Sequence, residues 1–487
     1  VWPEHLSYLG DTDFSELTSL KELNMPASID EYKEAAIIKV PSSLTKMVVS
    51  EGIEEIKADA CYGRNVETVI LPKSLKKIGD SAFMYASSLK EVVFPEDSEL
   101  TTVENCAFWG CDSLEKITLG KKVERIGSWA FRDCEGLKEA TIQSGCSGND
   151  DYMDVVDVFF YSDNLETLTL GSENVWFGKD YGGYYNGTSM ENLKHVILLD
   201  TVKKVLNGSS ESIETVEMGN GVEELGEGAF YRSRNLKSVI LSGNLTEIPD
   251  RTFEECESLE EIEIPDGVTH IGILTFFSCS KLKKVELPGS LKTIGSSAFR
   301  YCTALKEIEL PEGVETIEKG AFTCTELDTV TIPSTISSIG EHAFENLTIR
   351  RICFKKLKGN QLYQNMSKML QCFAHYFANE EYTDLDDASF HDMIKDDPDF
   401  IKALKSINQN IIIYYPSSEN ISEADKAKAN LQYCTWIPYT GSLDDPEAFM
   451  ASEELQAAVG AEGFSDGLSE AETGTAEPEV TEEQAQP

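Results

Sequence analysis

Twelve cysteines and six histidines are the residues of this 487-residue chain whose types suit metal ligation or nucleophilic chemistry. A structural zinc site needs four such ligands at short, paired spacings. The histidines stand alone at His5, His195, His270, His342, His375 and His391, with no H-E-x-x-H and no paired C-x-x-C. Cys372, His375 and His391 supply three ligand types, but no fourth falls at motif spacing, and 372–378 reads as an apolar helix face. The acids Asp150, Asp151, Asp154, Asp157 and Asp163 cluster in 145–164, yet they miss the spacing of an EF-hand calcium loop. Neither a G-x-S-x-G elbow nor a glycine-rich phosphate loop is present. The chain is therefore expected to be no enzyme and to hold no metal or cofactor.

The cysteines point elsewhere. Cys111, Cys134, Cys256, Cys279, Cys302 and Cys324 recur at 22- or 23-residue spacing within each run, and other units show Gly63, Ala86, Ser162 and Ser233 there. A position that accepts Cys, Ser, Ala and Gly asks for small size, which predicts buried thiols. Disulfides between adjacent units, or a local Cys106–Cys111 bridge, stay open as the alternative.

That spacing belongs to a repeat. Residues 282–304, LKKVELPGSLKTIGSSAFRYCTA, align with LEEIEIPDGVTHIGILTFFSCSK at 259–281 and LEKITLGKKVERIGSWAFRDCEG at 114–136. Units start at Leu20, Leu44, Val66, Leu89, Leu114, Leu137, Leu165, Leu193, Ile213, Leu236, Leu259, Leu282, Leu305, Leu327 and Ile349, and IIIYYP near Asn410 restores the pattern. L-x-x-I-x-L places alternate residues of a short strand inward. P-x-x-V-x-x-I-G-x-x-A-F then brings the chain back, through a turn and a short helical or 3₁₀ piece. One unit cannot bury its own apolar side, whereas stacked units can. A phenylalanine ladder (Phe83, Phe108, Phe131, Phe159, Phe230, Phe253, Phe276, Phe299, Phe322, Phe344) is the expected spine. Prolines such as Pro265, Pro288 and Pro311 end strand pairing, since proline has no N–H.

With Pro after the strand, the I-G and A-F pairs and the following Cys, the pattern resembles the BspA-like bacterial leucine-rich repeat family. The match covers about 20–357 and returns at 410–416. The resemblance implies secreted or cell-surface proteins, similar to adhesins that bind host or neighbouring-cell proteins, and it brings no catalytic residues. The fold expected is a β-rich α/β solenoid, a leucine-rich repeat rod of about 15 units of ~23 residues with a helical C-terminal insertion. The chain divides into an N-terminal cap segment (1–19), the solenoid (20–357), a helical insertion (358–409), a terminal repeat or cap (410–440) and an acidic disordered tail (441–487). The insertion shows helical periodicity at Leu362, Met366, Met369, Leu370, Phe373 and Phe377, and the tail carries acids but no Lys or Arg.

Charge limits the partners. With 85 acids against 42 bases, a net of -43, the chain lacks the basic face that nucleic acid requires. No apolar run is long enough to span a bilayer, so membrane insertion is not expected either. The chain starts at Val1, and a removed signal peptide is the expectation for an exported product.

Two surfaces are candidate binding sites. In L-x-x-I-x-L the third and fifth residues point outward, on the face expected to be concave. Glu261 and Glu263, Lys284 and Glu286, Glu307 and Glu309 occupy those positions on three adjacent units. Five carboxylates around one lysine would suit a basic protein ligand. The second candidate is the insertion VWFGKDYGGYYNG at 175–187, where Trp176, Tyr181, Tyr184 and Tyr185 resemble the make-up of contact loops. A glycan-binding protein or an enzyme using that insertion is the alternative to a protein-binding module, and a structural spacer is the third reading.

Overall fold

Each L-x-x-I-x-L segment forms a strand because its apolar residues alternate with polar ones, so one face can be buried and the other wetted. The computed structural model describes residues 44–63, 65–143, 153–177, 190–206, 210–344 and 349–355, with strands Glu22–Met25, Ile412–Pro416 and Thr435–Tyr439. Two residues after every predicted unit start but one, a strand begins, from Glu22–Met25 to Arg351–Phe354. Most of these strands pair in parallel with their neighbours one turn away, for example Thr167↔His195 and Leu168↔Val196, but Glu91–Val93 does not pair with Lys116–Leu119, nor Ser238–Ile240 with Glu261–Glu263. The exception follows Leu305: residues 305–310 keep Leu305, Ile308 and Leu310 inside and Glu307 and Glu309 outside, but form no strand.

The return path differs from expectation. The V-x-x-I-G segment contributes a second parallel ladder of two-residue strands, such as Thr293–Ile294 beside Thr316–Ile317 and His270–Ile271. The piece after it is not helical; among the described residues the one helix is Val155–Val158, capped by Asp154. The reason is in the backbone. Two residues per turn take left-handed φ on either side of the phenylalanine, as Ser297 (54°) and Tyr301 (64°) do around Phe299. Left-handed residues cannot propagate a right-handed helix. They turn alternate N–H groups toward the next unit instead. Ser297, Phe299 and Tyr301 donate to the carbonyls of Lys319, Ala321 and Thr323 at 2.8, 2.7 and 3.0 Å. Where both ladders are continuous, as between the turns that hold Phe276 and Phe299, a turn is thus hydrogen-bonded to its neighbour on three sides. The helical insertion expected at 358–409, the cap at 1–19 and the tail at 441–487 lie outside the described residues.

The core is one continuous column. All ten predicted phenylalanines are fully buried, and they are the largest fully buried side chains among the described residues. Within each run their rings stack at 5.1–5.6 Å.

Beside the spine run the thiols. Cys111, Cys134, Cys256, Cys279 and Cys302 are buried and free. Each Sγ donates to the carbonyl of the phenylalanine one turn back, at 3.1–3.2 Å. Ser162 Oγ replaces them at Phe131, at 2.5 Å. The position therefore selects a small side chain, and the hydrogen bond is optional: Ala86 and Ser233 are buried there without it. Two assignments are corrected here. Cys324 is exposed and holds left-handed φ, one residue short of the ladder, where Thr325 stands. Gly63 likewise occupies the left-handed position and not the small buried one. Burial pushes the Cys134 thiol up to about 12 and raises Cys256, Cys279 and Cys302 strongly. Only the thiolate attacks. At pH 8 in the native state, an alkylating reagent is therefore expected to modify Cys324 and spare these five. Unfolding without reductant should then expose all five to it. Peptide mapping of the labelled sites checks this, and any ladder cysteine that resists labelling after unfolding would reveal a disulfide.

Candidate functional site

The outward residues of the first ladder form a strip of side chains in register. Along most of it, charge is balanced between turns. The residue after each unit's first leucine carries rung-to-rung ion pairs: Lys90–Glu67 at 2.8 Å, Lys237–Glu214 at 2.6 Å and Lys283–Glu260 at 2.8 Å. Exposed pairs of this kind contribute under ~1 kcal/mol each.

The acidic rungs break that balance. Strands Glu261–Glu263 and Lys284–Glu286 pair in parallel, setting Glu261 opposite Lys284 and Glu263 opposite Glu286. The latter places two carboxylates on one cross-strand position, which is unfavourable. Lys284 turns to Glu286 within its own strand. That hydrogen bond, with the fields of Glu286, Glu261 and Glu263, holds the Lys284 ammonium above its usual range. Glu307 and Glu309 are exposed next in line, but no strand pairing brings them into register with Lys284 and Glu286. The structure thus assembles two of the three rungs and leaves the ladder open at the third.

Trp176 is placed elsewhere. It ends the strand Asn174–Trp176 of the second ladder, opposite Asp154 on one side and Leu206 on the other, and it is partly buried. It does not join the acidic rungs. Tyr181, Tyr184 and Tyr185 lie outside the described residues, as do Cys372, His375 and His391.

The acids flagged near 145–164 act as caps where they are described. Asp154 Oδ1 accepts the N–H of Asp157 at 3.0 Å, and Asp163 accepts that of Met190 at 3.1 Å. Among the described residues no group of three His, Cys, Asp or Glu side chains is placed to hold a metal ion. No helix among them is long and apolar enough to cross a membrane.

One cluster was missed by reading the repeat as a core pattern alone. The two residues after A-F vary, and most of them face outward, with Phe160 an exception that is buried. They place Tyr62, Tyr85, Trp109, Arg132, Phe160 and Tyr161 side by side on successive turns. The signal was present in the run M-Y, W-G, R-D, F-Y between the buried Phe and the small residue.

The family model described as "BspA type Leucine rich repeat region" matches six copies, over residues 1–60, 54–181, 180–306 and 246–369. Among solved structures, a leucine-rich repeat protein from Bacteroides ovatus is 24% identical, covering 68% of this chain and 86% of its own, with a TM-score of 0.38. A leucine rich cell surface protein from Faecalibacterium prausnitzii is 24% identical over 60% and 83%, with a TM-score of 0.25. A leucine-rich repeat protein from Eubacterium ventriosum is 20% identical over 65% and 91%, with a TM-score of 0.30. No curated protein matches the chain at a significant level.

Proposed function

The chain belongs to the BspA-type leucine-rich repeat family, and from that premise we propose that it is a non-enzymatic protein-binding module, secreted or displayed at the cell surface, that serves as an adhesin. Residues 20–357 are the binding solenoid in this reading. Residues 1–19 and 410–440 are its end pieces, 358–409 a helical insertion and 441–487 a solvated spacer.

The observation that carries the proposal is the register of the acidic rungs. Glu263 opposite Glu286 is a repulsive pair on an exposed face, whereas the same two turns are matched three residues earlier by Lys283–Glu260, and turns further back by Lys237–Glu214. Stability does not ask for that arrangement, but a basic protein ligand does. Clustered charge of one sign raises the association rate of an oppositely charged partner, and salt screens the gain.

The full chain, immobilised and exposed to extracellular-matrix and microbial-surface proteins, should capture a basic partner. Reversing Glu263, Glu286 and Glu309 to Lys together should lower the association rate about tenfold or more at low salt and flatten its salt dependence. An association rate and salt slope equal to wild type would remove the acidic rungs as the site. The insertion at 175–187, with Trp176, Tyr181, Tyr184 and Tyr185, would then be tested next, on a glycan array as well as against proteins.

A further inference from the structure

The return side of the solenoid carries an aromatic strip across five turns, exposed at Tyr62, Tyr85 and Tyr161, half-buried at Trp109 and Trp129 and buried at Phe160. Ring centroids are 5.7 Å apart for Tyr62–Tyr85 and for Tyr85–Trp109, and 6.1 Å apart for Trp109–Trp129. At the far end the Arg132 guanidinium lies 4.5 Å from Trp109, 4.9 Å from Trp129, 5.1 Å from Phe160 and 5.4 Å from Tyr161. Asp133 fixes this end, accepting the Trp109 indole N–H at 2.8 Å and facing Arg132 Nε at 3.4 Å. Gly110 lets Tyr85 lie across the next turn, since a Cβ there would meet Tyr85 Cδ1 at 2.6 Å. Tyr62, Tyr85 and Tyr161 remain 46%, 43% and 40% exposed. Aromatic rings held by such packing, yet left in water, cost solubility and do nothing for the core.

We propose that this strip is a second docking surface, and that its occupant is an extended, arginine-bearing peptide segment of a partner protein. It goes beyond the acidic-rung reading, because it uses another side of the solenoid. Three observations select the occupant. The first is the cage around Arg132, where the chain's own guanidinium already takes the stacked geometry that such rings favour. The second is charge. Asp80, Asp112, Asp133, Glu135 and Asp157 lie along the same turns. A second copy of this chain, at net -43, would be repelled there. The third is spacing. Every second side chain of an extended peptide recurs at about 6.6 Å, close to the ring-to-ring steps of the strip. An extended segment running along the rod would therefore offer one side chain to each ring.

The test uses the full chain and an acetylated peptide of alternating arginine and serine, with its lysine counterpart and a neutral cello-oligosaccharide as comparison probes. Affinities are read by fluorescence anisotropy in salt high enough to screen diffuse attraction. Replacing Tyr62, Tyr85 and Tyr161 together by Ser should weaken the arginine peptide about tenfold or more, given the strength of cation–π contacts. Replacing the same three by Phe should restore it, which also shows that loss was not a failure to fold. The lysine peptide should bind more weakly than the arginine one. The substitutions Glu263→Gln, Glu286→Gln and Glu309→Gln should leave arginine-peptide binding within about twofold, separating this surface from the acidic rungs. Equal affinity for wild type and the Ser variant would overturn the proposal, as would loss of binding in the Gln variant. Ring-dependent binding of the oligosaccharide without the arginine peptide would overturn it in favour of a sugar surface.

Discussion

Phe299→Ala is expected to lower stability by about 3–5 kcal/mol. The ring is fully buried, stacked 5.1 Å from Phe276 and 5.2 Å from Phe322, with interplanar angles of 11° and 0°. Two effects add. Removing the ring forfeits its transfer energy, and the cavity left cannot collapse. The walls on either side are rings held by their own turns, and Phe299's backbone is tied to Ala321 by a 2.7 Å hydrogen bond. In a linear array each turn contacts only its neighbours, so a weak rung also loosens the coupling between the halves on either side. Urea unfolding should show the shift, beside Lys283→Ala as a surface control that removes only the exposed pair with Glu260. A midpoint no lower than that control's would refute the stacked spine.

How legible this was depended on which atoms carried the constraint. Side-chain requirements that recur every turn were readable. A buried ring tolerates no polar substitute, so the phenylalanines stand out, and alternation in L-x-x-I-x-L marks the strands. Backbone requirements were harder to see. The two left-handed residues per turn are filled by Ser297, Tyr301, Asp133, Trp129 and others as well as by Gly63, Gly110 and Gly320. With such variety, no residue type announces the conformation, and the sequence alone suggests a helical return. The scattered glycines at those same positions were the one available signal. At Cys324 the cysteine type competes with spacing: its unit is one residue shorter, and the small buried position, three residues after Phe322, falls on Thr325. The acidic rungs were legible as positions, because outward residues follow from the strand period. The open ladder at 305–310 was not, since Leu305, Ile308 and Leu310 keep the full inward pattern. Hydrogen-bond pairing with a neighbour leaves no mark on side-chain type.

The I-G pair recurs in five units, at Gly79, Gly127, Gly272, Gly295 and Gly340, and its glycine supplies the second large effect. Gly295 follows the strand Thr293–Ile294, and its N–H donates to Ile271 of the preceding turn at 2.8 Å. A Cβ at Gly295 would meet the carbonyl carbon and oxygen of Gly272 at 2.5 and 2.6 Å and the oxygen of Ile271 at 2.8 Å. All three are backbone atoms of the turn below. A flexible side chain could swing aside, but this obstruction moves only if the two turns separate. Separation would stretch the hydrogen bonds on all three sides at once, so the strain cannot be relieved locally. Gly295→Ala is therefore expected to cost about 2–3 kcal/mol, at the upper end for one added methyl group. Gly289, six residues earlier in the same unit, has no atom within 4 Å of its would-be Cβ. Gly289→Ala should change stability by no more than ~0.5 kcal/mol. The pair shares one chemical change and one turn of the solenoid, and differs in what the methyl group meets. Chemical denaturation of both variants measures that difference directly. Equal midpoints would mean that adjacent turns are not packed backbone to backbone at the I-G corner, and the tight three-sided stacking would have to be given up.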